Sequence, residues 1–202
     1  MAIVGGSGAG KSWLARRLEA ALGDKAARLS LDDFYRDRSA LSPARRALIN
    51  YDHPRAIDWR KLESVLRHCL TGRCVDLPRY DFKSHTRRWE AAHFTPKPVI
   101  LIEGLWLLRR PSVRRLFSLS IFLDAPRSTR LRRRLQRDVA ARGRTTASVR
   151  DQFRKSVEPM HRRFVAPQSR RANVVLPSGW GEPEAARLAQ AILEQLGSGT
   201  SL

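Results

Sequence analysis

Gly5, Gly6, Ser7, Gly8, Ala9, Gly10, Lys11 and Ser12 satisfy the pattern G-x-x-x-x-G-K-[ST], and no other stretch narrows so far what this chain can fold into. A chance match in a chain this long is on the order of one in a hundred. The flanks agree with the motif. Ala2, Ile3 and Val4 form an apolar run before it, and Leu14, Leu18 and Leu22 recur at helical spacing after it. Strand, glycine loop and helix start are the context in which such a loop wraps phosphates. Glycines reach the turns that a Cβ forbids, and the backbone N–H groups then face a polyphosphate at the helix N-terminus. All eight residues are therefore read as an ATP site. Lys11 reaches the β- and γ-phosphates, and Ser12 is the first candidate ligand of Mg²⁺.

Strands and helices alternate along the rest of the chain. Strands are expected at 2–5, 27–31, 99–103, 119–123 and 173–176, and helices at 11–22, 42–50, 59–70, 127–141, 146–165 and 182–196. Pro159 is the place where the 146–165 helix could break. This pattern implies a P-loop NTPase fold: a doubly wound α/β domain over 1–202, with five parallel strands and helices on both faces. Residues 75–80 and 87–94 read as an antiparallel hairpin within a 71–95 insertion, and a disordered tail is expected at 197–202.

Ligands of such sheets sit outside the carboxyl ends of the strands. Asp32 and Asp33 stand at the end of the second strand, and Asp32 is the candidate general base toward an acceptor hydroxyl. Glu103 ends the most apolar strand, where a carboxylate joins Ser12 in holding Mg²⁺. Asp58 precedes the 59–70 helix and reads as its cap.

Charge matters most in one segment. The formal net charge is +20, and residues 127–171 hold fifteen Arg or Lys against Asp138, Asp151 and Glu158. Such density serves either nucleic acid or a polyanionic small molecule. A helix–Gly–helix unit at 127–152 suits a lid whose arginines, including Arg137, Arg142 and Arg144, close over the transferring phosphate. Without a ligand, that much like charge on one helix is expected to repel itself. The two cysteines, Cys69 and Cys74, make a poor zinc site and read as buried or inert thiols. No apolar run reaches membrane-span length, and the chain enters its first strand at once, so a cytoplasmic protein without leader or membrane partner is expected.

Taken together, these residues resemble the uridine–cytidine kinase family, within the wider phosphoribulokinase–uridine kinase group of P-loop kinases. The resemblance runs from Ile3 to about Leu176 through GGSGAGKS, SLDDFY, NYDHPRAID, LPRYDFKSH, ILIEG, RLRRRLQRDVAARGR and VEPMHRRFVAPQSRRANVVLP, in that order. It implies phosphorylation of the 5′-hydroxyl of uridine and cytidine to UMP and CMP, in pyrimidine salvage, with ATP or GTP as donor and Mg²⁺. It also implies a homo-oligomer, a tetramer or dimer. Asp32 matches the family's base. Asp52, beside Tyr51, matches the carboxylate that grips the ribose. Tyr80, Phe82 and His85 match the groups that stack on and read the pyrimidine. Arg134, Arg137 and Gln152 match nucleoside contacts, and Arg137, Arg142 and Arg144 match lid and phosphate contacts. Asp33, Arg55 and Ile57 depart from the family's usual small polar, acidic and aromatic residues, so they bear on acceptor choice.

Two other readings stand beside this one. One is a kinase of the same group acting on nicotinamide riboside, a sugar phosphate or pantothenate; Tyr80, Phe82 and His85 argue for a planar base, and a phosphosugar acceptor would leave them idle. An RNA-binding P-loop NTPase would account for the charge, but no RNP, KH or helix-turn-helix signature accompanies it, and no specific nucleic-acid partner is expected.

Overall fold

The computed structural model describes residues 1–198, apart from the side chains at 88–92 and 142; the tail expected to be disordered lies outside the described residues from 199 onward. Strand β1 (Ala2–Gly5) passes through the glycine loop into helix α1 (Lys11–Leu22). Strand β2 (Ala26–Ser30) ends in a 3-10 turn, Leu31–Phe34, in which the Asp32 N–H donates to the Ser30 hydroxyl. Helix α2 (Pro43–Ala47) is capped by Ser42 and is shorter than the 42–50 expected. The cap of α3 (Trp59–Leu70) is the Asp58 carboxylate, which accepts from Lys61 N–H. The hairpin is β3 (Val75–Asp81) and β4 (Thr86–Phe94). Next come β5 (Val99–Gly104), the short α4 (Pro111–Arg114), β6 (Ser120–Leu123) and α5 (Arg127–Arg142), which Gly143 ends at φ 62°.

Helical structure from 146 onward does not break at Pro159. It runs as α6 (Thr146–Gln152), a π turn at Phe153–Val157, α7 (Glu158–Met160), a second π turn at His161–Val165 and a 3-10 turn at Ala166–Arg171. A proline removes one N–H and crowds the preceding turn. Here that turn widens to i→i+5 bonding, and the rod stays continuous. Strand β7 (Val174–Leu176) and α8 (Glu182–Gly197) complete the described chain.

The sheet has five strands in the order β2-β5-β1-β6-β7, and every pairing is parallel. Alternation along β1 splits the core in two. Ala2 and Val4 join the cluster of Phe34, Leu62, Trp106 and Phe164. Ile3 joins the opposite cluster, with Leu14, Leu18, Ile121 and Ile192. Each such side chain, fully buried, stabilises by roughly 2 kcal/mol. Cys69 is buried and its thiol is pushed up to about 11 by that burial, whereas Cys74 is exposed; neither forms a disulfide. No helix among the described residues is long and apolar enough to cross a membrane.

This order sets three carboxyl ends side by side: the glycine loop after β1, Glu103 in β5 and Asp32 after β2. Gly104 makes the last junction possible. A Cβ there would run into the side chain of Leu31, at the root of the Asp32 turn.

Candidate active site

At the glycine loop, Lys11 Nζ donates to the Gly6 carbonyl at 3.0 Å, and Ser12 Oγ donates to Glu103 Oε1 at 2.7 Å. Burial pulls the Lys11 ammonium below its ordinary range, while the charges of Glu103 and Asp32 pull it back up. Gly8 sits at φ 81°, and a Cβ on it would strike the Arg130 carbonyl, so α5 lies directly against the loop. Gly10 caps α1 with no side-chain bond, which leaves the helix's first N–H groups open to an anion.

In front of the loop opens a cavity of about 910 Å³. Ser7, Lys11, Ser12, Asp32 and Glu103 line its floor. Its far wall carries Tyr51, Asp52, Tyr80, Phe82 and His85. Arg134, Arg137, Arg144 and Gln152 face it from α5 and the rod. Fourteen of the residues singled out in the sequence thus share one space. Gly5, Gly6, Gly8, Ala9 and Gly10 form the loop behind it, and the Arg142 side chain is outside the described ones.

The aromatic wall is tightly organised. His85 stacks on Tyr51 with centroids 4.0 Å apart and planes 8° from parallel, and its Nδ1 meets the Tyr80 hydroxyl at 3.1 Å. His85 sits at φ 55°, a left-handed conformation that a non-glycine residue adopts at a cost. Tyr35 has a role that its position in SLDDFY did not reveal. Its ring packs 4.9 Å from Tyr80, its hydroxyl donates to the Tyr51 carbonyl, and it lines the cavity. Burial, then the charges of Asp32 and Asp52, hold the Tyr35 phenol well above its ordinary range.

Asp52 is fixed from three sides. Ser156 Oγ donates to its Oδ2 at 2.8 Å, Gln152 Nε2 at 3.2 Å, and the Asn50 side chain accepts its N–H at 2.9 Å. Gln152 Oε1 in turn accepts from Arg134 at 2.9 Å and from Arg144. Arg134 donates onward to Ser7 Oγ at 2.9 Å. One hydrogen-bonded path therefore joins the glycine loop to Asp52. Asn50 and Ser156 lie 106 residues apart in sequence, and no local signal links them.

Part of the lid charge is paired. Arg130 donates to Glu158 at 2.8 Å, and Arg134 and Arg137 converge on Asp138, which is 0% exposed. One face of the first turns of α5, at Arg130 and Arg134, is buried against the loop. Arg133 reaches the Ala9 carbonyl at 3.1 Å, and His161 presses on Gly6 from behind. Both lie in motifs that carry the resemblance, but neither was given a site role of its own.

The departures fall outside the cavity. Asp33 does not line it; burial raises the Asp33 carboxyl, opposed by Arg79 and by the Tyr80 N–H. Arg55 is exposed, and Ile57 is buried in a bridge to Tyr35. Ser12 and Glu103 offer hard oxygens side by side, and among the described residues no group of three or more His, Cys, Asp or Glu could cage a metal. That donor set fits Mg²⁺, which keeps waters and phosphate oxygens as its remaining ligands.

Known proteins fall in with this geometry. The model of a family described as "Phosphoribulokinase / Uridine kinase family" matches residues 1–182. A protein named uridine kinase from Tolumonas auensis is 42% identical over 182 residues, which is 88% of this chain and 85% of its own length. Another of that name, from Mannheimia succiniciproducens, is 41% identical over 203 aligned positions, 98% of this chain and 94% of its own. Among solved structures, phosphoribulokinase from Rhodobacter spheroides superposes with a TM-score of 0.62 at 19% identity, over 85% of this chain and 66% of that one, a likeness of fold.

Proposed function

The chain belongs to the phosphoribulokinase–uridine kinase family, and from that premise we propose that it moves the γ-phosphoryl group of ATP to the 5′-hydroxyl of uridine, and of cytidine, giving UMP and CMP. The observation that carries this reading is the single cavity holding Lys11, Ser12, Asp32 and the aromatic wall together.

Each residue has a task set by its chemistry. The loop N–H groups and Lys11 hold the β- and γ-phosphates; GTP presents the same phosphates. Ser12 and Glu103 hold Mg²⁺, which supplies charge neutralisation on those oxygens when bound. Asp32 accepts the proton of the attacking hydroxyl. Asp52, fixed by Ser156 and Gln152, takes the ribose hydroxyls. Tyr51, Tyr80 and Phe82 offer ring faces to the base. The Tyr80–His85 bond has two directions. With the Tyr80 proton on Nδ1's lone pair, His85 Nε2–H donates to a uracil carbonyl. With it reversed, Nε2 accepts from a cytosine amine. Arg137, Arg142 and Arg144 serve the transferring phosphate, with 127–152 as lid and 71–95 as nucleoside-binding insertion of one domain. The reading places the protein in the cytoplasm, with its substrates, and as a homo-oligomer.

Turnover on uridine, cytidine, nicotinamide riboside and ribulose 5-phosphate tests it. Activity on the two pyrimidine nucleosides is expected, and its absence on both overturns the reading. Asp32→Asn should lower kcat by roughly 10²–10⁴-fold with ATP still bound, whereas Asp33→Asn should leave kcat within a few-fold. If Asp33→Asn is the damaging change, Asp32 is not the base.

A further inference from the structure

A second concavity, of about 550 Å³, shares no lining residue with the acceptor cavity. Its walls are Arg127, Arg154, Glu158, Pro159, Arg162 and Arg163. The two π turns flanking Glu158–Met160 create it, because a widened turn brings residues four and five apart onto one face. Arg154, Glu158, Arg162 and Arg163 fall there together, and Arg127 faces them from the first turn of α5.

Four guanidinium groups thus surround one carboxylate, and that carboxylate is already engaged. Glu158 accepts from buried Arg130 at 2.8 Å and from Arg162 at 3.1 Å. Arg154 makes a 3.3 Å contact to exposed Asp151, which Lys155 also holds at 2.9 Å. Arg127 and Arg163 have no carboxylate partner among the described residues. Each is placed by a ring instead: Arg127 lies 5.8 Å from the Phe153 centroid and Arg163 5.1 Å from that of Phe164. A stacked guanidinium keeps its N–H edges for an anion and loses little freedom on binding one.

We propose that this concavity is a second anion site, which takes a polyphosphate chain. Planar guanidinium forks match phosphate oxygens in pairs, and several such forks around one space suit several linked phosphates. Among the described residues no aromatic face or amide lines the walls, so none of them reads a base. Through Glu158 the site touches Arg130, whose side chain backs Gly6 of the glycine loop. Occupancy therefore bears on a residue that shapes the ATP site.

The test is calorimetric titration of tripolyphosphate into the chain already saturated with Mg²⁺ and a non-hydrolysable ATP analogue, at physiological salt. One further equivalent is expected to bind. Arg154→Ala/Arg163→Ala should weaken it at least about tenfold, with turnover unchanged, since neither residue lines the acceptor cavity or belongs to the 127–152 lid. Arg60→Ala/Arg170→Ala removes equal charge elsewhere and should change nothing. Absence of the further equivalent overturns the proposal, as does equal weakening in both double variants, which marks general attraction to a basic surface. A nucleoside triphosphate bound over tenfold more tightly than tripolyphosphate overturns the polyphosphate assignment, and so does tighter binding of a single-stranded oligonucleotide through the same arginines. The titration does not depend on which nucleoside is phosphorylated, so its outcome is separate from that of the substrate panel.

Discussion

His161 shows how one buried base ties the glycine loop to pH. Its ring presses on Gly6 and its Nδ1 has no hydrogen-bond partner among the described residues. Burial first, then the charge of Arg130, push its pKa down to about 4, with Lys11 and Arg162 acting the same way and Glu158 opposing. Unfolded histidine titrates near 6.5. Between those values the unfolded chain takes up a proton that the folded chain refuses. The stability tied to a neutral His161 is therefore complete above about pH 6.5 and lost as pH falls toward 4, by up to roughly 3 kcal/mol. Urea denaturation of the protein and of His161→Gln across this range should show a shallower acid loss in the variant. Equal slopes would mean that the carboxylates alone set the acid limit. Position was legible for such residues, and orientation was not. Asp32 and Asp33 are neighbours with one composition signal, yet only Asp32 lines the cavity, because the 3-10 turn sends successive side chains to different sides. Tyr35 was visible as an aromatic, but its contact to Tyr80 spans 45 residues of sequence and depends on where the hairpin folds back.

At the scale of elements, a residue alternates or it does not, and that made the sheet readable. All five strands appear within a residue or two of their expected bounds, because apolar runs flanked by turns have few other ways to be buried. The rod at 146–171 was less readable. Pro159 signals a break locally, and what overrides it is packing of Phe153, Val157, Phe164 and Val165 into the molecule. The lid divides along the same line. Its first turns are locked by Arg130–Glu158 and by the close fit at Gly8, whereas the stretch around Gly143 hangs on Arg144's bonds to Gln152 and Ser148. Those bonds lead to Asp52, so nucleoside and ATP together should tighten this stretch. Trypsin, which cuts after arginine, should cleave at 142–144 in the free protein and at least several-fold more slowly with a non-hydrolysable ATP analogue plus uridine. Cleavage at an unchanged rate would remove the moving lid from the mechanism.

Over the whole molecule, charge is the term that local contacts leave open. There are 39 Lys and Arg against 19 Asp and Glu, a net charge of +20 that no arrangement of the side chains cancels, even where one carboxylate meets two guanidinium groups. Two buried carboxylates are each already held by two arginines: Asp138 by Arg134 and Arg137, Glu158 by Arg130 and Arg162. What remains is a surplus of like charge on the surface, and compaction raises its self-repulsion. Salt shortens the reach of that repulsion, to a Debye length of about 8 Å at physiological ionic strength, and weakens the exposed pairs, which are each worth under about 1 kcal/mol. The buried pairs are screened far less. Repulsion among the unpaired cations outweighs the exposed pairs, so Tm should rise as sodium chloride increases from near zero to about 0.3 M. Scanning calorimetry at several salt concentrations measures this. A Tm that falls over the same range would mean that surface ion pairs dominate. The same surplus sets what is asked of any anion that binds: affinity that disappears at 0.15 M salt belongs to the surface, and affinity that persists belongs to a site.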